Sequence, residues 1–373
     1  MQSNVNGYLK YIYIFVIIFV ILFLFQRYQN KIARENSSEG FHSMQKYLLN
    51  DPNLAKDKKP ILWVCLEYDY NSRSWLSFGS RSSNNLNQPY LYLTARTIVE
   101  RCEDSFHICF VDDSSFSKLL PGWNINMKKL AEPTKTYMRD LAMMKLLYKY
   151  GGMRVPVSFL CMRNLIGMYN SGTSHNKMFI CETVNRNSTS TKDSFNPNIA
   201  FMGAPRENGT VLQLIDFIQR TISSDFTSES MFLGEFNRWC KTRADKNKIN
   251  LIDGKLIGVK TVNNKPIYVD DLLSNNYLDI YDNTYGIYIA SNEILSRTHY
   301  QWFARLSPHQ VLESNTIISK YLLLANAPNK KPTVIQEKPN KPSWISFWKV
   351  PSSAPVWGFK PSELGDNVAK MNY

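Results

Sequence analysis

Cysteine is scarce and scattered in this 373-residue chain, with Cys65, Cys102, Cys109, Cys161, Cys181 and Cys240 showing no CxxC spacing. That pattern argues against a zinc ribbon and leaves too few thiols for a disulfide scaffold. Acidic residues are in deficit, 31 Asp and Glu against 44 Lys and Arg, for a formal net charge of +13. There is no P-loop, no GxGxxG and no recognisable Ser-His-Asp set, so no motif supports an NTPase, a dinucleotide enzyme or a hydrolase. What the chain does hold is apolar: 44% hydrophobic and 13% aromatic residues, enough to fold one large or two small domains and to exclude a disordered or collagen-like chain.

A charge of +13 invites partners that carry phosphate: nucleic acid, an anionic membrane or a nucleotide-activated substrate. Its distribution narrows the choice. Residues 1–60 and 327–373 contribute +4 each, and residues 61–326 contribute +5. Within that middle, Lys118 to Arg163 holds nine basic residues against Glu132 and Asp140, a local charge of +7. These cations lie among buried-type residues with no nucleic-acid-binding motif, so nucleic acid is not the expected partner.

From Tyr8 to Phe25 eighteen residues, interrupted only by Lys10, are apolar or aromatic. As a helix they extend about 27 Å, enough to span a bilayer with Lys10 snorkelling. No small-x-small cleavage site follows, so we expect a retained anchor over 8–26 rather than a signal peptide, after a short tail over 1–7. Arg27, Lys31 and Arg34 give a slight bias towards a cytoplasmic carboxy-terminal side. A stem over 27–59 leads to a domain over 60–326. Asn36, Asn187 and Asn208 are glycosylation sequons that matter only in a secretory lumen. Residues 327–373 hold seven of the 17 prolines with Trp344, Phe347, Trp348 and Trp357 irregularly spaced. They read as an extended tail, draped on the domain or docking a partner.

Inside the domain, Pro60 to Glu67 reads as a first buried strand, Pro89 to Cys102 as a helix, and Phe106 to Val111 as a second strand ending in Asp112-Asp113. Strand, helix, strand with acids at the carboxyl end opens a nucleotide-binding α/β sheet. The alternative role for Asp112 or Asp113 is to cap a helix from Ser114. Thr134 to Tyr150 is the most legible helix, with Thr134 as N-cap, Tyr137, Leu141, Met144 and Tyr148 on one face, and Gly151-Gly152 as a left-handed stop. Asp140 is either a ligand-facing carboxylate or an ion-pair partner of a neighbouring base. Further on come Tyr285 to Ile289, then His299, Trp302 and Arg305 at helical spacing, then a helix from about Pro308 to Leu324. The three spaced residues could offer a sugar-stacking indole and two polar groups, or a packed Trp with surface neighbours.

The segment YMRDLAMMKLLYKYGGMRVPVSFLCMRNL (Tyr137–Leu165) resembles the central segment of glycosyltransferases with a DXD sugar-binding region, the group that includes capsular-polysaccharide-synthesis proteins and initiating mannosyltransferases. Asp140, the Leu146–Gly152 helix end and the strand after it carry the likeness. The first strand, the end of the second and Asn198–Arg206 suit the same layout. Richness in Asn, Lys, Ile and Tyr resembles such proteins from large DNA viruses. The resemblance implies an α/β fold with one mixed central sheet and helices on both faces, and transfer of a sugar from a nucleotide-sugar donor to a glycan acceptor. It places Asp112 or Asp113 on the nucleotide and Asp140 on the donor sugar, with Arg139, Gly151, Gly152 and Ser158 around the donor and His299, Trp302 and Arg305 towards the acceptor. The lipid bilayer is the further partner, through residues 8–26.

The departures from the family pattern are chemical. Aligned from Gly151-Gly152, the two metal-binding aspartates fall on Pro156 and Ser158, the aromatic on Arg154 and the family's arginine on Met143. No Asp-x-Asp occurs elsewhere, and Glu67-Tyr68-Asp69 is the nearest substitute. The family's divalent cation, Mn or Mg, bridges the donor diphosphate, so no such cofactor is expected with these residues. Either the chain is a catalytically inactive descendant, or it is a metal-independent transferase in which Arg154, with Arg139 second, grips the diphosphate, or the alignment misleads.

Overall fold

The computed structural model describes residues 59–67, 86–224, 227 and 229–327. The expected segments 1–7 and 8–26, nearly all of 27–59 and of the tail 327–373, and the Asn36 sequon lie outside these residues. Among the described residues no helix is long and apolar enough to cross a membrane.

The expected α/β architecture is present. Six strands form one mixed sheet: β1 (Ile61–Cys65), β2 (His107–Val111), β3 (Gly152–Pro156), β5 (Phe179–Val184), β6 (Phe195–Ala204) and β7 (Asn250–Ile252), in the order β2-β1-β3-β6-β5-β7. β1 runs parallel to both β2 and β3, with Trp63 opposite Cys109 on one side and Arg154 on the other. β6 then turns antiparallel to β3. A separate pair, β4 (Phe159–Cys161) and β8 (Gly286–Tyr288), forms a small antiparallel sheet.

Period-two alternation divides each central strand between two cores. Leu62, Val64, Leu66, Phe110 and Val155 pack with helix α1 (Leu91–Cys102) on one face. Trp63, Val111 and Met202 pack on the other with α2 (Thr134–Tyr150), α3 (Gly209–Ser224) and α4 (Glu235–Asp245). The α2 stripe behaves as its spacing predicts: Tyr137, Leu141 and Met144 are buried and Tyr148 is half-buried. Helices on opposite faces leave β1 central, with β2 and β3 reached by crossovers on its two sides.

Several local expectations are corrected. Thr134 lies inside the first turn of α2; Glu132 does the capping, its carboxylate accepting from the Thr136 amide at 3.2 Å and hydroxyl at 2.6 Å. A negative charge there also suits the helix dipole. The helix expected from Pro308 to Leu324 is two, Pro308–Glu313 and α5 (Ile317–Asn326). Thr316 takes the Ser319 amide on its hydroxyl and restarts the chain as a new N-cap. Gly151 stops α2 at φ 71° but with an extended ψ of −167°, not as a left-handed helical cap. Gly152, at φ 104°, is required by close approach, because a Cβ there would lie 2.1 Å from the Ile61 carbonyl oxygen. The Asn208 side chain is structural: Nδ2 donates to the Asn176 carbonyl, and Oδ1 accepts from the Thr210 and Val211 amides at the start of α3.

Candidate functional site

Because β1 is followed by β2 on one side and later by β3 on the other, the strand order reverses at β1. The crevice beyond the carboxyl ends of β1 and β3 is where ligands collect in such sheets. β1 and the chain after it deliver Cys65 and Glu67 there, the end of β2 delivers Asp113, α2 delivers Arg139 and Asp140, and β3 delivers Arg154.

Consecutive residues of α2 point to different strands. Arg139 grips Asp113 bidentately, Nε to Oδ1 at 2.7 Å and Nη2 to Oδ2 at 2.8 Å. Its Nη1 lies 3.7 Å from Glu67 and 3.9 Å from Glu132, and Lys135 Nζ lies 3.6 Å from Asp113. Asp140 accepts from Arg154 Nη2 at 2.8 Å, while Arg154 Nη1 donates to the Ile199 carbonyl at 3.2 Å. Both guanidinium side chains are buried, at 8% and 9% exposure. Four carboxylates thus meet three cations, a nominal local charge of −1, and each guanidinium already holds a carboxylate.

The electrostatics follow from this crowding. Burial works to lower the Arg139 pKa, but the Asp113 hydrogen bonds, with Glu67, outweigh it and hold the group above its ordinary value. Glu67 is held above the usual carboxylate range by desolvation, with Arg139 opposing and Asp140 adding to the rise. Burial pushes the Cys65 thiol up to about 12; Glu67 adds to this, and Arg154 and Arg139 oppose it. A thiol so raised is a poor nucleophile.

Asp112 faces its own chain. Its Oδ1 accepts from the amides of Ser114 and Ser115 at 3.0 and 2.8 Å and from both hydroxyls, closing the turn before the short helix Phe116–Leu119. Of the two acids at the end of β2, the capping role belongs to Asp112 and the crevice holds Asp113.

Pro156 and Ser158, which the resemblance aligns with metal-binding aspartates, do not fit a divalent cation. Pro156 has no side-chain ligand atom, and the buried Ser158 donates its hydroxyl to the Ile289 carbonyl at 2.7 Å. Among the described residues no group of three or more His, Cys, Asp and Glu is arranged to hold a metal ion.

Gly151 and Gly152 lie at the amino end of β3, where the Gly151 carbonyl accepts from the buried Trp63 indole at 2.9 Å. His299 lies in a 3-10 turn, Thr298–Tyr300, Trp302 in a short helix, Gln301–Ala304, and Arg305 directly follows that helix. His299 and Arg305 are exposed, Arg305 reaching Gln301 at 3.3 Å, and Trp302 packs edge-on to Phe303. Among the described residues no hydrogen bond or ion pair joins these three to Asp113, Asp140 or Arg154.

Six of the nine bases in the +7 segment lie away from the crevice. Lys118, Lys128, Lys129 and Arg163 are exposed elsewhere. Lys145 and Lys149 line a groove of about 320 Å³ near the carboxyl end of α2, beside Trp123 and Glu207. Sequence reading missed the gathering of Glu67 and Glu132 around Arg139. Glu132 was visible as one of two acids in a basic stretch, whereas the Ile199 carbonyl that receives Arg154 leaves no trace in side-chain identity.

No family model, curated protein or solved structure matches the chain.

Proposed function

We propose that this chain is a membrane-anchored, glycosyltransferase-like protein whose α/β domain is a catalytically inactive relative of the sugar transferases and serves as a binding or structural module at the membrane. The resemblance around Asp140 and Gly151-Gly152 and the apolar run Tyr8–Phe25 support the class. The observation that carries inactivity is the pairing of Arg154 with Asp140: the group expected on the diphosphate and the group expected on the donor sugar are each other's partner. Releasing either would leave a desolvated, uncompensated charge.

One observation favours a second reading, metal-independent transfer. Arg139 and Arg154 both reach the crevice from rigid elements, and guanidinium can replace an ion at a diphosphate. A donor would then have to displace Asp113 or Asp140.

Titration of the full-length protein in detergent with UDP- and GDP-sugars, with and without Mn²⁺, while following nucleoside diphosphate release, separates the two. The inactive reading expects no release in any condition. Release that persists in chelator and disappears in Arg154→Ala would overturn it in favour of the second reading.

A further inference from the structure

We propose that Cys102 and Cys161 form an intramolecular disulfide when the chain folds in an oxidising compartment. Cys102 ends α1 and Cys161 ends β4, and their sulfurs stand 3.9 Å apart as free thiols. Among the described residues this is the one thiol–thiol contact. A disulfide would bring the two sulfurs from that contact to the covalent distance of about 2.0 Å.

The two elements are already held in register around the sulfurs. The Cys161 amide donates to Thr97 Oγ1 at 3.0 Å, Thr94 Oγ1 donates to the Val157 carbonyl at 2.6 Å, and Asn164 Nδ2 donates to Ser105 Oγ at 2.8 Å. A bond here would therefore fasten a preorganised junction rather than impose a new one. Both residues are fully buried, so the reaction belongs to folding, before α1 seals against β4.

The chemistry is thiol–disulfide exchange with a small-molecule disulfide such as oxidised glutathione. One of the two protein thiolates attacks one glutathione sulfur and expels a glutathione thiolate. The other protein thiolate then attacks the protein sulfur of that mixed disulfide and expels the second glutathione thiolate. Two protein thiols are oxidised to one disulfide, the oxidant is reduced to two glutathiones, and the two protons leave with them. The cysteines stand 59 positions apart, and the segment between them contains β2, the Asp112-Asp113 turn, α2 and β3, so the link closes one loop around almost the whole crevice.

The test is to refold the full-length chain in a glutathione redox buffer, quench in acid, alkylate, and map peptides without reduction. The expected result is a Cys102–Cys161 cross-linked peptide, an intact mass about 2 Da below the reduced chain, and alkylation of the other four thiols. Dithiothreitol should then lower the Tm by on the order of 10 °C, as expected for a loop of this length. Alkylation of all six cysteines, or pairing between any other two, would overturn the proposal. Cys102→Ala should abolish the mass deficit, and the wild-type mapping stands whether or not that variant folds.

Discussion

Arg154 donates to Asp140 at 2.8 Å across fourteen residues of chain, joining a helix to the strand that follows it. The pair is mostly buried, so its members cannot be removed singly without cost. Arg154→Met is expected to destabilise the domain by about 3 kcal/mol because it strands a buried carboxylate, whereas Asp140→Leu with Arg154→Met should recover most of that loss. Urea unfolding of the two single variants and the double would show a large coupling energy. Near-additivity would mean that the pair does not hold the helix to the strand.

Arg139 and Asp113 make the stricter geometry, two parallel hydrogen bonds between planar groups. Lysine keeps the charge but loses the fork. Arg139→Lys should therefore cost about 1–2 kcal/mol, with little change at any exposed position of α2. An unchanged urea midpoint would argue that the charge alone suffices.

Gly152 is set by backbone proximity. Gly152→Ala forces a methyl against the Ile61 carbonyl at a φ that alanine avoids, and a loss on the order of 3 kcal/mol is expected. Trp63→Phe should cost less, about 1–2 kcal/mol, by removing the indole donor from the buried Gly151 carbonyl. Thermal unfolding of both variants would establish the order.

Tyr288 gives a pH dependence. Burial pushes its hydroxyl from 10.0 up to about 12, with Glu293 adding to the rise and Arg154 opposing it. Between those values the folded protein keeps a proton that the unfolded chain releases. Stability is then fully present below pH 10 and falls as pH rises towards about 12. Tyr288→Phe should flatten that alkaline limb in urea titrations at successive pH values; an unchanged slope would remove Tyr288 from the account.

Much of the scaffold was legible. The apolar runs of β1 and β2 and the stripe of α2 are patterns of period 2 and 3.6, and burial against a sheet rewards them directly. The break before α5 was harder to read, because Leu312 and Ile317 to Leu322 continue an apolar pattern that hides the hydroxyl cap at Thr316. The site was legible as residues and not as contacts. Asp113, Arg139, Asp140 and Arg154 were each singled out, yet the pairing of two adjacent α2 residues with two different strands depends on where the crossovers place β2 and β3.

The same division applies to the scarce cysteines and the surplus of basic charge. Residue identity alone settles that Pro156 offers no side-chain ligand to a metal, that no CxxC exists, and that +8 of the charge lies on the two ends of the chain. Tertiary structure decides that the remaining cations disperse or are matched by carboxylates, and that Cys102 comes within 3.9 Å of Cys161. Composition and local periodicity act along the chain and can be read there. Charge pairing and thiol proximity depend on distance in space, which only the packed sheet and its crossover helices set.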